Sequence, residues 1–248
     1  MIPLLLVALD TDLTALRALG GFFALRTGEP PNGPLPTLAQ AYTARHTGGD
    51  EERFGARADP LGFRVRKVAD SVRTPEARVA ASLTHQGLVA RLWAVALGSA
   101  ALYDHVPDLD PALLRWDPDG AAPDELWLTE VRARPADAIG EVVREGHLAP
   151  LAAALRERFR MSERLLRGNA GSALMGALRQ LERWSAAGGR PDVRDRARGL
   201  AADLLAHPGL SDTLDPATLR RRSCCLYYRV PGGGLCGDCC FDRPPSRH

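Results

Sequence analysis

The first 223 residues contain no cysteine, although the chain has five. Cross-links are therefore not what holds the bulk of the molecule together, and a chain of 248 residues is long enough to bury a proper core without them. Long hydrophobic runs are also missing: no stretch approaches the roughly 20 apolar residues that span a bilayer. Lysine is almost absent, with Lys67 the lone example, while Arg, Ala, Gly and Pro are abundant. That bias resembles coding from a GC-rich genome, so the position of an arginine is informative and the number of arginines is not. A net charge of +2 removes polyelectrolyte character and with it any general support for nucleic-acid binding. The apolar opening, Met1 to Leu9, lacks a basic flank and meets Asp10 and Asp12 at once, so a secretory signal is not expected. The simplest expectation is a soluble cytoplasmic protein, whose reducing surroundings keep cysteines as thiols.

Familiar catalytic motifs are lacking as well. No Gly-x-Gly-x-x-Gly follows a strand pattern, and Gly232-Gly233-Gly234 lacks the Lys-Ser/Thr of a phosphate loop. Neither a Ser-His-Asp set nor carboxylates at metal-binding spacing is legible, and no internal repeat is present.

Apolar periodicity predicts a mainly α fold with a minor β component. Leu4 to Leu19 reads as an opening helix stopped by Gly20-Gly21, and Thr27 to Pro60 as a long surface connection with one periodic piece at Leu38 to Tyr42. Phe63 to Val68 has the alternation of a strand, and Thr74-Pro75-Glu76 reads as the start of a helix. Leu88, Leu92, Val95, Ser99 and Leu102 form a stripe on a helix apolar enough to be buried on most sides. Leu113 to Trp116 and Leu126 to Val131 flank Asp117-Pro118-Asp119-Gly120, a hairpin signal. Two further stripes, Leu148 to Phe159 and Leu174 to Trp184, precede a stop at Gly188-Gly189 and a last helix over Val193 to Ala206. A helical body over 1–215 and a terminal segment over 216–248 are expected.

All five cysteines lie between Cys224 and Cys240. Thiols that fill a core are scattered, whereas thiolates around a metal must converge, so this crowding points to a metal site. Thiolates select zinc, copper(I) or iron-sulfur clusters. Structural zinc usually draws two separated Cys-x-x-Cys knuckles. Here one half is the adjacent pair Cys224-Cys225 and the other is Cys236-x-x-Cys239. A two-iron cluster takes ligands on diverging vectors and four cysteines are its usual complement, so it suits the pattern better, with zinc still open. Cys240 is surplus: a spare thiol, a substitute ligand or an oxidation hazard.

Cys-Cys, ten residues, then Cys-x-x-Cys resembles the signature of the FhuF family of ferric-siderophore reductases. Arg221-Arg222-Ser223-Cys224-Cys225-Leu226-Tyr227-Tyr228 and Pro231 to Cys239 carry the likeness. Weaker echoes lie at Gly20 to Ala24, Gly87 to Leu92 and Gly168 to Leu174. The resemblance implies a [2Fe-2S] cluster held by Cys224, Cys225, Cys236 and Cys239. It also implies one-electron reduction of Fe3+ in an imported siderophore, with no nucleophile or general base. With no dinucleotide fingerprint, electrons are expected from an external donor such as a ferredoxin or a flavin/NAD(P)H reductase. Gly232, Gly233, Gly234 and Gly237 would aim N–H groups at sulfur, and Arg221, Arg222 and Arg229 would raise the potential or dock an anionic partner. The alternatives are a zinc-stapled or redox-sensing binding module, and an electron-transfer subunit with no siderophore site of its own.

Plainer readings stand beside these. Arg220-Arg221-Arg222 reads first as a solvated run, His85 and His105 as packed or capping histidines, and Trp93, Trp116, Trp127 and Trp184 as core. Tyr227 and Tyr228 are expected to pack over the cysteine loop. Asn169, among Gly168, Gly171 and Ser172, either bonds across packed helices or lines a cleft, and packing is the safer reading.

Overall fold

A computed structural model describes residues 13–31, 33–44, 58–120 and 126–245. The fold is mainly helical with small sheets. Its helices are α1 (Leu38–Thr43), α2 (Pro60–Ser71), α3 (Ala77–Tyr103), α4 (Ala149–Phe159), α5 (Glu163–Ala187) and α6 (Pro191–Ala206). Helix α3 runs through the centre, and α2, α4, α5 and α6 all pack on it. Residues 91–101 of α3 are buried without a break, so the segment has no polar face. Gly98 lets the Phe23 ring approach, since a Cβ there would stand 2.7 Å from the ring.

The strands are β1 (Arg26–Thr27), β2 (His105–Pro107), β3 (Leu114–Trp116), β4 (Leu126–Leu128) and β5 (Ala133–Pro135). β4 lies between a parallel β1 and an antiparallel β3, while β2 and β5 form a separate antiparallel pair. The expected hairpin is thus present as β3–β4, with residues 121–125 outside the described residues.

Several expectations need correction. Phe63 to Val68 is not a strand and lies inside α2. Asp59 accepts a hydrogen bond from Gly62 N at 2.9 Å, Pro60 takes the first turn, and Leu61 and Val65 bury one helical face. The cap and the i, i+4 pair outweigh a short alternation. Helix α3 begins at Ala77, after Thr74 accepts a hydrogen bond from Glu76 N. The stripe from Leu148 is helical as expected, yet a π-helical turn, Glu141–Leu148, precedes it. The opening helix is described only from Leu13, whose turn tightens to 3₁₀ at Leu16–Leu19 and stops at Gly20, φ +121°.

Candidate metal centre and its cleft

The terminal segment lies directly on α5 because two glycines admit it. A Cβ on Gly168 would stand 2.0 Å from Ser223 Oγ, and one on Gly171 would stand 2.3 Å from Thr213 Oγ1. Three residues apart, they share one helix face. Ser223 donates to the Arg164 carbonyl at 3.1 Å, and the Asp215 carboxylate closes the preceding turn by accepting from Ala217 N and Thr218 N.

Three consecutive arginines then do three different things. Arg220 clamps the final loop, donating to the carbonyls of Cys239 and Phe241, each at 2.8 Å, and pairing with Asp242 at 2.6 Å. Arg222 is exposed. Arg221 turns inward and is 2% exposed, so the solvated-run reading fails for this residue. Its guanidinium donates to Asn169 Oδ1 and, at 3.3 Å, to Gln86 Oε1. Asn169 Nδ2 donates to Ser82 O at 3.0 Å, and Ser82 Oγ donates to the Cys225 carbonyl at 2.7 Å. Asn169 thus bonds across α3 and α5 and carries the terminal segment with it.

Arg221 forms no ion pair with a carboxylate among the described residues, and its Nε finds no acceptor. A buried cation without a counter-ion is costly. The negative charge it serves is that of the thiolates, and its presence favours ionisation of both Cys225 and Cys236. The adjacent His85 is buried and held neutral, its pKa lowered to about 3 by burial and by the Arg221 charge.

The cysteines hang from two short loops, all five free of disulfides. Cys225 and Cys236 have sulfurs 3.5 Å apart. Their shared hydrogen bond, with help from the Tyr227 N–H and Arg221, lowers the Cys225 thiol to about 7, while the same bond holds the proton on Cys236. Burial pushes Cys224 up to about 11 and raises Cys240. Leu226 N donates to Cys224 Sγ at 3.2 Å and Phe241 N to Cys239 Sγ at 3.4 Å. Donors to sulfur thus come from the residues that follow the cysteines and not from the glycine run. Gly233 serves the turn instead, where a Cβ would meet the Tyr227 carbonyl at 2.7 Å. Tyr228 meets Phe241 edge-on at 5.8 Å, whereas Tyr227 is 37% exposed. Arg229 pairs with Glu76 at 2.9 Å, which ties the loop to the start of α3.

Among the described residues no three His, Cys, Asp or Glu side chains are drawn together closely enough to hold a metal ion. What fits an iron-sulfur group is the donor chemistry: soft sulfur, N–H groups aimed at three of the sulfurs, and a buried cation. The Cys225–Cys236 separation also fits, because two thiolates on one tetrahedral centre with bonds of about 2.3 Å stand roughly 3.8 Å apart.

A cavity of about 490 Å³ adjoins this centre, between α3, α5, the Gly20–Phe23 turn and the loop at Cys236, Gly237 and Asp238. The turn is held by Arg91, which donates to the carbonyls of Gly21 at 2.6 Å and Ala24 at 2.7 Å, and by Gln180, which donates to Leu19 O at 3.1 Å. The three internal echoes are therefore one construction: Gly20 to Ala24 is the lip, Arg91 its support, and Asn169 the anchor of the cysteine segment. Sequence reasoning missed Ser82 and Gln86, since nothing in the largely polar run Ser82 to Gln86 announces which partner each side chain meets.

Residues 221–241 match the family model described as FhuF 2Fe-2S C-terminal domain. No curated protein matches the chain significantly. No helix among the described residues is long and apolar enough to cross a membrane. The matched stretch spans Arg221, the Cys224-Cys225 pair, the glycine run and the closing Cys236-x-x-Cys239. By that match residues 221–241 are similar to a FhuF-type 2Fe-2S domain, with a [2Fe-2S] cluster as the cofactor.

Proposed function

We propose that this iron-sulfur protein is a cytoplasmic ferric-siderophore reductase, with its body over 1–215 and its cluster segment over 216–248. Cys224, Cys225, Cys236 and Cys239 hold the [2Fe-2S] cluster, and Cys240 is not a ligand. The carrying observation is that Cys236 belongs at once to the 3.5 Å sulfur pair and to the wall of the 490 Å³ cavity. When bound, the cluster supplies a one-electron carrier. The chain's own residues set its surroundings: the N–H groups of Leu226 and Phe241 stabilise thiolate charge, and Arg221 favours the more negative, reduced state. Ser82, Asn169 and Gln86 keep that cation in place.

With the cluster held by Cys224, Cys225, Cys236 and Cys239, one electron would come from an external donor and one would pass to the Fe3+ of the chelate. The hard anionic oxygens of a siderophore hold Fe2+ far less well than Fe3+, so reduction is release. No side chain needs to act as nucleophile or base.

Anaerobic purification with measurement of iron, acid-labile sulfide and zinc, followed by electron paramagnetic resonance after dithionite, tests the reading. Two irons and two sulfides per chain, a reduced-state signal and its loss on adding a ferric siderophore are expected. Stoichiometric zinc with no signal would replace the reductase by a zinc-stapled module, and a signal that persists with every ferric siderophore would leave an electron-transfer subunit.

A further inference from the structure

The cavity beside Cys236 is about 490 Å³, within the usual range of small-molecule sites. Two independent features distinguish it from a packing gap. The first is Gly176. A glycine inside an α-helix costs roughly 1 kcal/mol relative to alanine, and elsewhere along α5 the reason is visible, because Gly168 and Gly171 admit Ser223 and Thr213. Gly176 has no such reason: a Cβ there would meet nothing within 4 Å. It faces the cavity, so what its missing side chain preserves is open space.

The second is the lip. Phe22 is 47% exposed at the cavity while its neighbour Phe23 is buried in the core. Arg179, also exposed there, makes no ion pair among the described residues. Between lip and loop the walls are small and apolar, with Ala90, Ala94 and Ala177.

We infer that this cavity is the seat of the ferric chelate, an inference that rests on the reductase reading and gives it a location. The iron-bearing core lies toward the Cys236 wall. The chelator's methylene linkers lie on the alanine walls and Phe22. The electron balance is simple: the cluster loses one electron, Fe3+ gains it, no bond to the protein forms or breaks, and the external donor restores the electron.

The test compares the wild-type holoprotein with Gly176→Phe, which fills the cavity, and with Gly199→Phe, a control on the exposed side of α6 where an added Cβ also meets nothing. Phe22→Ala, an exposed truncation, serves as a second variant should Gly176→Phe fold poorly. The probes are desferrioxamine B, enterobactin and citrate, loaded with Ga3+ for calorimetric binding and with Fe3+ for anaerobic stopped-flow re-oxidation of the reduced protein. At least one Ga3+ chelate should bind wild type and Gly199→Phe, with affinity at least ten-fold weaker in Gly176→Phe and several-fold weaker in Phe22→Ala. The matching Fe3+ chelate should re-oxidise wild type with a saturating rate and Gly176→Phe at least ten-fold more slowly, while ferricyanide, which needs no seat, changes less than two-fold. Chelate binding and turnover unchanged in both variants would overturn the cavity assignment and leave the reductase reading intact. Ga3+ binding that the variants abolish, without re-oxidation of wild type by any Fe3+ chelate, would overturn the reductase reading and leave the cavity as a chelate site. Neither binding nor re-oxidation in wild type would overturn both.

Discussion

The helical body and the terminal segment are built on opposite principles. Around α3 the chain is held by aliphatic packing, with Leu92, Trp93, Val95 and Leu97 all buried among neighbouring helices. From His207 to Pro245 the described chain has only the 3₁₀ turn Tyr227–Arg229 and the isolated bridge between Leu214 and Arg221. Polar bonds carry that segment: Arg220 to the last loop, Arg221 to Asn169, Arg229 to Glu76, and Ser82 to the Cys225 carbonyl. A body of the first kind stands without a cofactor, whereas a segment of the second kind leans on its metal group, because coordination to thiolates supplies folding energy that so short a chain cannot obtain by burial.

The strongest way to break the comparison is Cys236→Ser. Iron and sulfide should fall to background and the reduced-state resonance should vanish, while the helical circular dichroism persists. Loss of the helical signal would show that body and segment do not stand apart. Next is Gly168→Leu, which forces a side chain against Ser223. Overpacking of this kind costs about 1–3 kcal/mol, so cluster occupancy should drop at least several-fold, and Ser223→Gly in the same chain should restore much of it. Occupancy unaffected by Gly168→Leu would mean that the segment does not depend on its seat on α5.

Arg221→Gln sharpens the electrostatic side. Reduction adds negative charge that the buried guanidinium stabilises, so removing it should lower the midpoint potential by about 60–120 mV, one to two decades at 59 mV each. Arg221→Lys should recover part of the shift, and a redox titration of the resonance reads both. An unchanged potential would assign Arg221 to anchoring alone.

The smallest effect concerns the body. His147 is buried between the Tyr42 hydroxyl, which donates to Nδ1 at 2.8 Å, and the Leu109 carbonyl, which accepts from Nε2 at 2.5 Å. Burial lowers its pKa to about 4. The fold therefore favours the neutral ring. Its contribution is intact above the unfolded value of about 6.5 and is lost as pH falls toward 4, about 2 kcal/mol by pH 5. The unfolding free energies from urea titrations at pH 7 and pH 5 should differ by that amount plus a similar share from His85, and the difference should shrink by about 2 kcal/mol in His147→Asn.

The helices were legible wherever apolar residues recur in stripes, and Gly188 ends α5 where the stripe predicts. Phe63 to Val68 misled because six residues carry too little period to oppose the Asp59 cap and the Leu61–Val65 pair. The triple arginine misled for a different reason: identical neighbours point different ways once the backbone turns, and only the packed chain distinguishes the buried Arg221 from the exposed Arg222. Gly176 and Gly168 also read alike in sequence, although one admits a neighbour and the other leaves a void.

The sequence by itself determined the helical class and the chemistry of the cysteine segment, since hydrophobic period and thiolate crowding are properties of chain order. Tertiary structure alone decided that the lip at Gly20 to Phe23, Gln86, Gly176 and Cys236 meet around one cavity. Residues more than 200 positions apart become neighbours through the crossing of α3 and α5, and no local pattern encodes which side chains face one another there.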